Sequence, residues 1–409
     1  MNPLRVLHVS AGLSPRGGGP PLAAVAMCRA LANFGADVTL ITPAGETARN
    51  WLTVKGPVDL EVLDELRADR AIRVRPFRTS WPHKFLNSGE LTSLLEEIVP
   101  KIDIVHIHSL YRFTFLAAAR FAYHNHVPYI VRPHGTFDTF HRSRARLAKV
   151  VYHQLVERRW LNRAAAIHYT SEAEHYQALP LHLKPRGLVI PLGLNLPQPQ
   201  GDRERFLKSH PELRGKRVVV FLGRVTAKKG LDILVECLAL LAVQYADVHL
   251  VIGGPDDEGY GRNVRRRASA LGVGARITWL GMVSGHQKWD LLAAADAWTL
   301  PSRGENFGLA VIEALAAGAP VVVSDRVGIA DVLTGSSAAL VVGLGPREMS
   351  AAIGRLFNEP GLAERLRRNG PAVVGTHFAW SSIAEQLLST YRALVASQLA
   401  ITVNRETRL

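Results

Sequence analysis

Two glutamates eight residues apart, Glu305 and Glu313, lie in the segment Leu300-Pro-Ser-Arg-Gly-Glu-Asn-Phe-Gly-Leu-Ala-Val-Ile-Glu-Ala. Along a helix, eight residues at 1.5 Å rise span about 12 Å. Retaining glycosidases hold their carboxyls about 5–5.5 Å apart and inverting ones about 6.5–9.5 Å, which argues against joint action on one bond. One carboxylate at each end of an elongated, hydroxyl-rich ligand is the better reading. The backbone N–H groups of Phe307, Gly308 and Leu309, at a helix start, would then face a phosphate.

Two further loops have phosphate-binding character. Gly223-Arg-Val-Thr-Ala-Lys-Lys-Gly230 follows a β-branched run and precedes a helical pattern. Arg224 offers a bidentate fork and Lys229 a point charge, a pairing suited to a diphosphate, although Gly-Lys-Ser/Thr of a Walker loop is absent. The first loop carries Gly17, Gly18 and Gly19 just before Pro20 and Pro21, which suit a helix's first turn. Successive glycines allow backbone to approach a phosphate closely. The dinucleotide fingerprint fails there, because Leu22 stands where its third glycine belongs and the second strand ends at Thr42 without an acid. His106 and His108 share a strand face and could be two metal ligands, but no third is identifiable and no metal is expected. Asp256-Asp-Glu258 reads as a solvated acidic turn, and Cys28 and Cys237 as buried small hydrophobes.

These loops must be held by α/β units. β-branched runs at Arg5–Ser10, Asp37–Thr42, Ile72–Phe77, Ile102–Ser109, Tyr129–Pro133 and Ala166–Ser171 predict strands in the first half. Arg217–Gly223, Val248–Gly254, Arg276–Gly281, Trp298–Ser302, Val321–Asp325 and Ala339–Gly343 predict them in the second. Amphipathic stretches such as Leu22–Phe34, Leu231–Gln244 and Leu309–Ala317 alternate with them, which implies parallel sheets with right-handed crossovers. Pro191–Gly201 is too rich in breakers for an element and separates two such blocks, so two doubly wound domains facing a central cleft are expected. Ligands of such sheets sit beyond the carboxyl ends of strands.

The chain of 409 residues is 47% apolar, which excludes intrinsic disorder. No uncharged apolar run reaches the ~18–20 residues of a membrane span, and no secretory signal is read at the N-terminus. Two cysteines without a CxxC fit a reducing, cytoplasmic setting. The net charge of +14 divides as +9 over the first 200 residues and +5 over the rest, so it is not a basic tail. Such a field favours anionic partners, and no nucleic-acid-binding signature accompanies it.

Taken together, the segment from Glu305 to Glu313 resembles the E-x7-E motif of retaining glycosyltransferases of family 4, which have the two-domain GT-B fold. The Gly-rich first loop, Pro133-His134-Gly135, Arg224 with Lys229, and Phe378-Ala-Trp380 match in the right order. The resemblance implies two Rossmann-like domains: residues 1–195 binding acceptor, residues 202–377 binding a nucleotide sugar, and residues 378–409 crossing back to the first. It implies Glu313 on the ribose, Glu305 with the amides of Phe307, Gly308 and Leu309 on the transferred sugar, and Arg224 and Lys229 on the diphosphate. Gly17–Gly19 would assist at the phosphates, His134 would sit beside the reacting carbon, and the loop after Trp279–Val283 would cover the base. Arg303, often small or apolar in the family, and Asp331, more usually Glu, leave the donor sugar open.

The expected activity is transfer of a sugar from a nucleotide-diphosphate sugar to a glycan or lipid-linked acceptor, in polysaccharide or glycolipid assembly, with no cofactor. A nucleotide-sugar-binding regulator and a dinucleotide-dependent oxidoreductase are the alternatives. The stretch Arg132–Arg163 carries a net +6, and Arg142, Arg144, Arg146 and Lys149 within it are candidates for peripheral contact with an anionic membrane at its cytoplasmic face.

Overall fold

The computed structural model describes residues 2–13, 19–43, 71–80, 87–137, 151–196 and 201–406. The chain falls into two compact units, one of Met1–Gly193 together with Trp380–Leu409, the other of Leu194–Ala379.

The first unit is built on a seven-stranded parallel sheet. Its strands are β1 (Arg5–Val9), β2 (Asp37–Pro43), β3 (Ile72–Phe77), β4 (Ile104–His108), β5 (Tyr129–Arg132), β6 (Ala166–Tyr169) and β7 (Arg186–Val189). The spatial order is β3-β2-β1-β4-β5-β6-β7. Side chains two apart share a face. Leu7, Val9, Val105, Ile107, Val131 and Ile167 therefore lie on one face, where they pack with Leu91, Leu95 and Phe115 in a single apolar core. His8, His106, His108, Arg132 and His168 lie on the other, and all are buried. The helix Gly19–Asn33 and the C-terminal helix Trp380–Glu406 pack together in this unit.

No β-branched run in the sequence announces β7. Among the described residues this strand pairs only with β6; it begins just after Pro185 and contains Gly187, and its residues are exposed or half-buried. Short edge strands carry little apolar signal, and glycine and proline mask what there is. β5 ends one residue before the expected Pro133, which has no N–H for the ladder.

The second unit holds β8 (Arg217–Leu222), β9 (Val248–Gly253), β10 (Ile277–Gly281), β11 (Ala297–Leu300), β12 (Val321–Ser324) and β13 (Ala339–Val342), ordered β10-β9-β8-β11-β12-β13. Every pairing is parallel. The order reverses between β8 and β11, so the loops that follow these two strands open side by side at a topological switch point. The chain enters this unit at Leu194 and leaves it at Ala379; Leu194 N–H donates to the Phe378 carbonyl at 2.7 Å, and Leu194 and Ala379 form an isolated bridge.

Candidate active site

At the switch point of the second unit the two loops are fastened to each other. Gly230 adopts φ +71° as the helix Leu231–Gln244 begins, and any Cβ there would overlap the Pro301 carbonyl. Glycine is required on both counts. Arg303 then spans the gap: its guanidinium donates to both Asp232 oxygens at 2.9 and 2.6 Å and to the Ala227 carbonyl at 2.8 Å. Its backbone N–H donates to the Lys228 carbonyl at 2.8 Å. Burial works to raise the Asp232 carboxyl, but the hydrogen bonds from Arg303 prevail and hold it below the ordinary range. Sequence reasoning treats Arg303 as a departure bearing on the donor sugar; the structure makes it the clamp between the two loops.

The clamp sets Lys229 against Glu305, and the two form an ion pair with side chains 16% and 20% exposed. Glu305 is also fixed through its backbone, its N–H donating to Arg326 and its carbonyl accepting from Gly328 at 2.7 Å. Phe307 is buried and meets Phe378 edge to face at 5.6 Å. Gly308, at φ +98°, begins the helix Leu309–Ala316 without a side-chain cap. Glu313 lies on that helix and accepts a 2.8 Å hydrogen bond from Lys288, a partner with no motif to announce it. Arg224 is exposed, and among the described residues it has no ion-pair partner. The structure thus joins Lys229 directly to Glu305, while Glu313 pairs with Lys288. Beside the site, Arg265 stacks on Trp279 at 3.9 Å, and Asp256 accepts from the Gly261 N–H, so the acidic turn serves to cap a helix.

In the first unit His134 follows β5 in a left-handed conformation, φ +51°, which costs energy for a non-glycine residue. The turn is held from outside. Glu174, 2% exposed, accepts from the Gly135 N–H at 2.7 Å and from the backbone and hydroxyl of Thr170 at 2.7 and 2.8 Å. Of the first glycine loop, Gly19 opens the helix Gly19–Asn33, while Gly17 and Gly18 lie outside the described residues.

Beneath His134 runs a buried row of imidazoles. His8 Nδ1 lies 2.9 Å from His108 Nε2, and His108 Nδ1 lies 3.3 Å from His134 Nε2. His106 Nδ1 meets the Tyr391 hydroxyl at 2.6 Å, His106 Nε2 meets His168 Nδ1 at 3.3 Å, and His168 Nε2 meets the Ile190 carbonyl at 2.8 Å. Burial, reinforced by the Arg132 charge, drives His8 and His168 down to about 3 and keeps the others well below the ordinary histidine range. Burial brings the Arg132 guanidinium down only to about 10, so it remains cationic. By residue type His8, His106 and His108 could ligate a metal, with their nitrogens within 4.8 Å. However, both nitrogens of His106 and of His108 already have partners, and the three rings lie 4.7 to 5.2 Å apart with two of the three pairs stacked. A hydrogen-bonded array describes them better than a coordination site. Local spacing reveals only His106 and His108; His8, His168 and Tyr391 join them through the sheet.

The chain thus consists of two parallel α/β units, one of which bears a fastened Lys–Glu pair at its switch point. Residues 18–193 match the family model "Glycosyl transferase 4-like domain", and residues 202–373 match "Glycosyl transferases group 1". The chain belongs to this glycosyltransferase family. It is similar to the D-inositol 3-phosphate glycosyltransferase of Rhodococcus jostii (strain RHA1), 34% identical over 181 residues, 43% of this chain and 40% of the relative. It is also similar to the mannosylfructose-phosphate synthase of Agrobacterium fabrum, 31% identical over 180 residues, 42% of this chain and 40% of the relative. The chain spans about half, or less, of the length of the curated relatives it matches. Among solved structures, Anabaena HepE in complex with UDP and glucose superposes with a TM-score of 0.75 at 16% identity, covering 95% of this chain and 100% of that one. Sucrose-phosphate synthase from Thermosynechococcus elongatus does so with a TM-score of 0.73 at 20% identity, covering 96% and 100%. The fold is GT-B. A dinucleotide oxidoreductase is set aside by the family assignment.

Proposed function

We propose that the chain is a retaining glycosyltransferase moving a sugar from a nucleoside-diphosphate sugar to a hydroxyl of a glycan or lipid-linked acceptor. The observation that carries this reading is the Lys229–Glu305 pair held by Arg303 where β8 and β11 diverge. In this reading Lys229 turns from Glu305 to the diphosphate as donor binds, and Arg224 joins it. Both stabilise charge that grows on the leaving phosphate. Glu305 and the amides of Phe307, Gly308 and Leu309 hold the transferred sugar, Glu313 holds the ribose, and Gly17–Gly19 approach the phosphates. His134 stands beside the reacting carbon. The acceptor hydroxyl attacks from the leaving group's face and gives its proton to the departing phosphate oxygen. No cofactor or metal is required, and a uridine nucleotide is favoured by the ligands named for HepE.

A groove of about 520 Å³ in the first unit is the place we assign to an anionic acceptor. Tyr123 and Trp160 line it with Arg120, Arg159 and Arg163, and Arg163 stacks on both rings at 4.3 and 5.1 Å. Aromatic faces with guanidinium groups suit a phosphorylated polyol or a lipid phosphate. Arg142, Arg144, Arg146 and Lys149, the residues proposed for contact with an anionic membrane, lie outside the described residues. Among the described residues no helix is long and apolar enough to cross one. A peripheral place at the cytoplasmic membrane face follows from this reading.

The test is a thermal-shift screen with nucleotide sugars, followed by donor turnover and the product's anomeric configuration by NMR. A saturating donor at 100 times its Kd adds about 2.7 kcal/mol. Donor binding with no hydrolysis or transfer across a broad acceptor panel would identify a binding regulator instead, and an inverted product would refute retention.

A further inference from the structure

The directions of the hydrogen bonds in the histidine row can be worked out atom by atom. The Ile190 carbonyl only accepts, so His168 carries its proton on Nε2. His168 is neutral, so its Nδ1 accepts and His106 Nε2 must donate. His106 is neutral too, so its Nδ1 accepts from the Tyr391 hydroxyl. This branch has one solution.

The other branch, His8–His108–His134, allows two. If His134 donated from Nε2, His108 would donate to His8, and His8 would be left with an N–H on Nε2. Among the described residues that atom is buried without a hydrogen-bond partner, and the Arg132 charge acts on His8. Among the described residues Arg132 itself has Nε and Nη1 buried without partners, so this face of the sheet already has donors in excess. A further stranded donor on this face is the costlier arrangement, since buried N–H groups rarely go unpaired. The opposite direction leaves His8 Nε2 with a lone pair, the form that the Arg132 charge favours. His8 Nδ1–H then donates to His108 Nε2, and His108 Nδ1–H donates to His134 Nε2.

We propose that His8 and His108 are positioning residues that fix the proton of His134 on Nδ1. Nδ1 is the nitrogen of that imidazole not used within the row, so His134 offers an oriented hydrogen-bond donor and no basic nitrogen. This deepens the transferase reading and rests on it for the role of His134 beside the sugar. Such a group can hold a sugar or phosphate oxygen, while proton acceptance remains with the leaving phosphate. A chain of three imidazoles supplies the direction that a carboxylate or carbonyl usually imposes on a working histidine.

Long-range ¹⁵N–¹H correlation on the full chain labelled at histidine nitrogens, with the His134 signal assigned through His134→Asn, tests the inference. The expected result is a protonated-type Nδ1 and an unprotonated-type Nε2 at His134. His8→Phe removes the first donor and should mix the two tautomers. His8→Asn places an amide N–H where His8 holds Nδ1 and should restore the wild-type pattern. In turnover, His8→Phe should lose kcat about tenfold with donor KM nearly unchanged, and His8→Asn should recover it. An Nε2-protonated His134 in the wild type overturns the proposal even if neither variant folds. Stoichiometric zinc in the purified protein, bound at these imidazoles, overturns it as well. If the tautomer is found but no donor is turned over, the transferase reading fails and the hydrogen-bond direction stands.

Discussion

Acidification from about pH 7.5 to about pH 5.5 should destabilise the first unit severely, well before its carboxylates protonate. His8, His106, His108 and His168 are at most 1% exposed and held neutral in the folded protein. In the unfolded chain each titrates near the ordinary value of about 6.5. Below that value the unfolded state takes up protons that the folded state refuses, so stability rises with pH and is lost as pH falls. At about pH 5.5 each such histidine favours unfolding by about 1.4 kcal/mol, and the four together by about 6 kcal/mol. That approaches the whole stability of an ordinary domain. Urea unfolding at several pH values, read by hydrogen exchange of β1 and β4 peptides, measures it. Replacing His168 with phenylalanine should remove about a quarter of the pH slope. An unchanged urea midpoint across this window, with β1 and β4 protected throughout, would refute the assignment of four neutral buried imidazoles.

In the second unit, Gly230→Ala should cost about 3 kcal/mol in urea unfolding, because it combines an unfavourable φ with overlap on the Pro301 carbonyl; a stability within error of wild type would mean the two loops can separate there. Glu305→Gln frees Lys229 from its ion pair, so calorimetry should show free nucleoside diphosphate binding severalfold tighter while turnover is lost. Weaker binding would show that Glu305 itself contacts the nucleotide.

The strands other than β7 are legible in the sequence because parallel strands buried on both faces leave compact β-branched runs between turn residues. The Glu305–Glu313 segment is legible because its residue types sit at one helix start. Contacts between distant residues are not. Arg303 reads as an oddity until Asp232, 71 positions away, is placed opposite it. Lys288 lies on a separate helix from Glu313 and belongs to no pattern. His106 and His108 alternate with Val105 and Ile107, which reads as a strand with one polar face. Only the sheet register, His8 against His106 and His108 against Arg132, shows that the polar face is buried and internally bonded. Sequence spacing cannot convey that, because the row draws on β1, β4, β5, β6 and a residue 285 positions beyond His106.

The route of the chain has a consequence for synthesis on the ribosome. Tyr391, which closes the row over His106, belongs to a helix translated only after all of Leu194–Ala379 has emerged. At about 5–20 residues per second that interval is roughly 10–40 s. During it, the nascent first unit holds a β-sheet whose His106 lacks the hydroxyl it will bond, next to a helix Gly19–Asn33 still waiting for its neighbour. The second unit is contiguous and can finish folding first. The order of completion is therefore the reverse of the order of translation, and the early half of the polypeptide is the natural client for a chaperone that shields incomplete sheets.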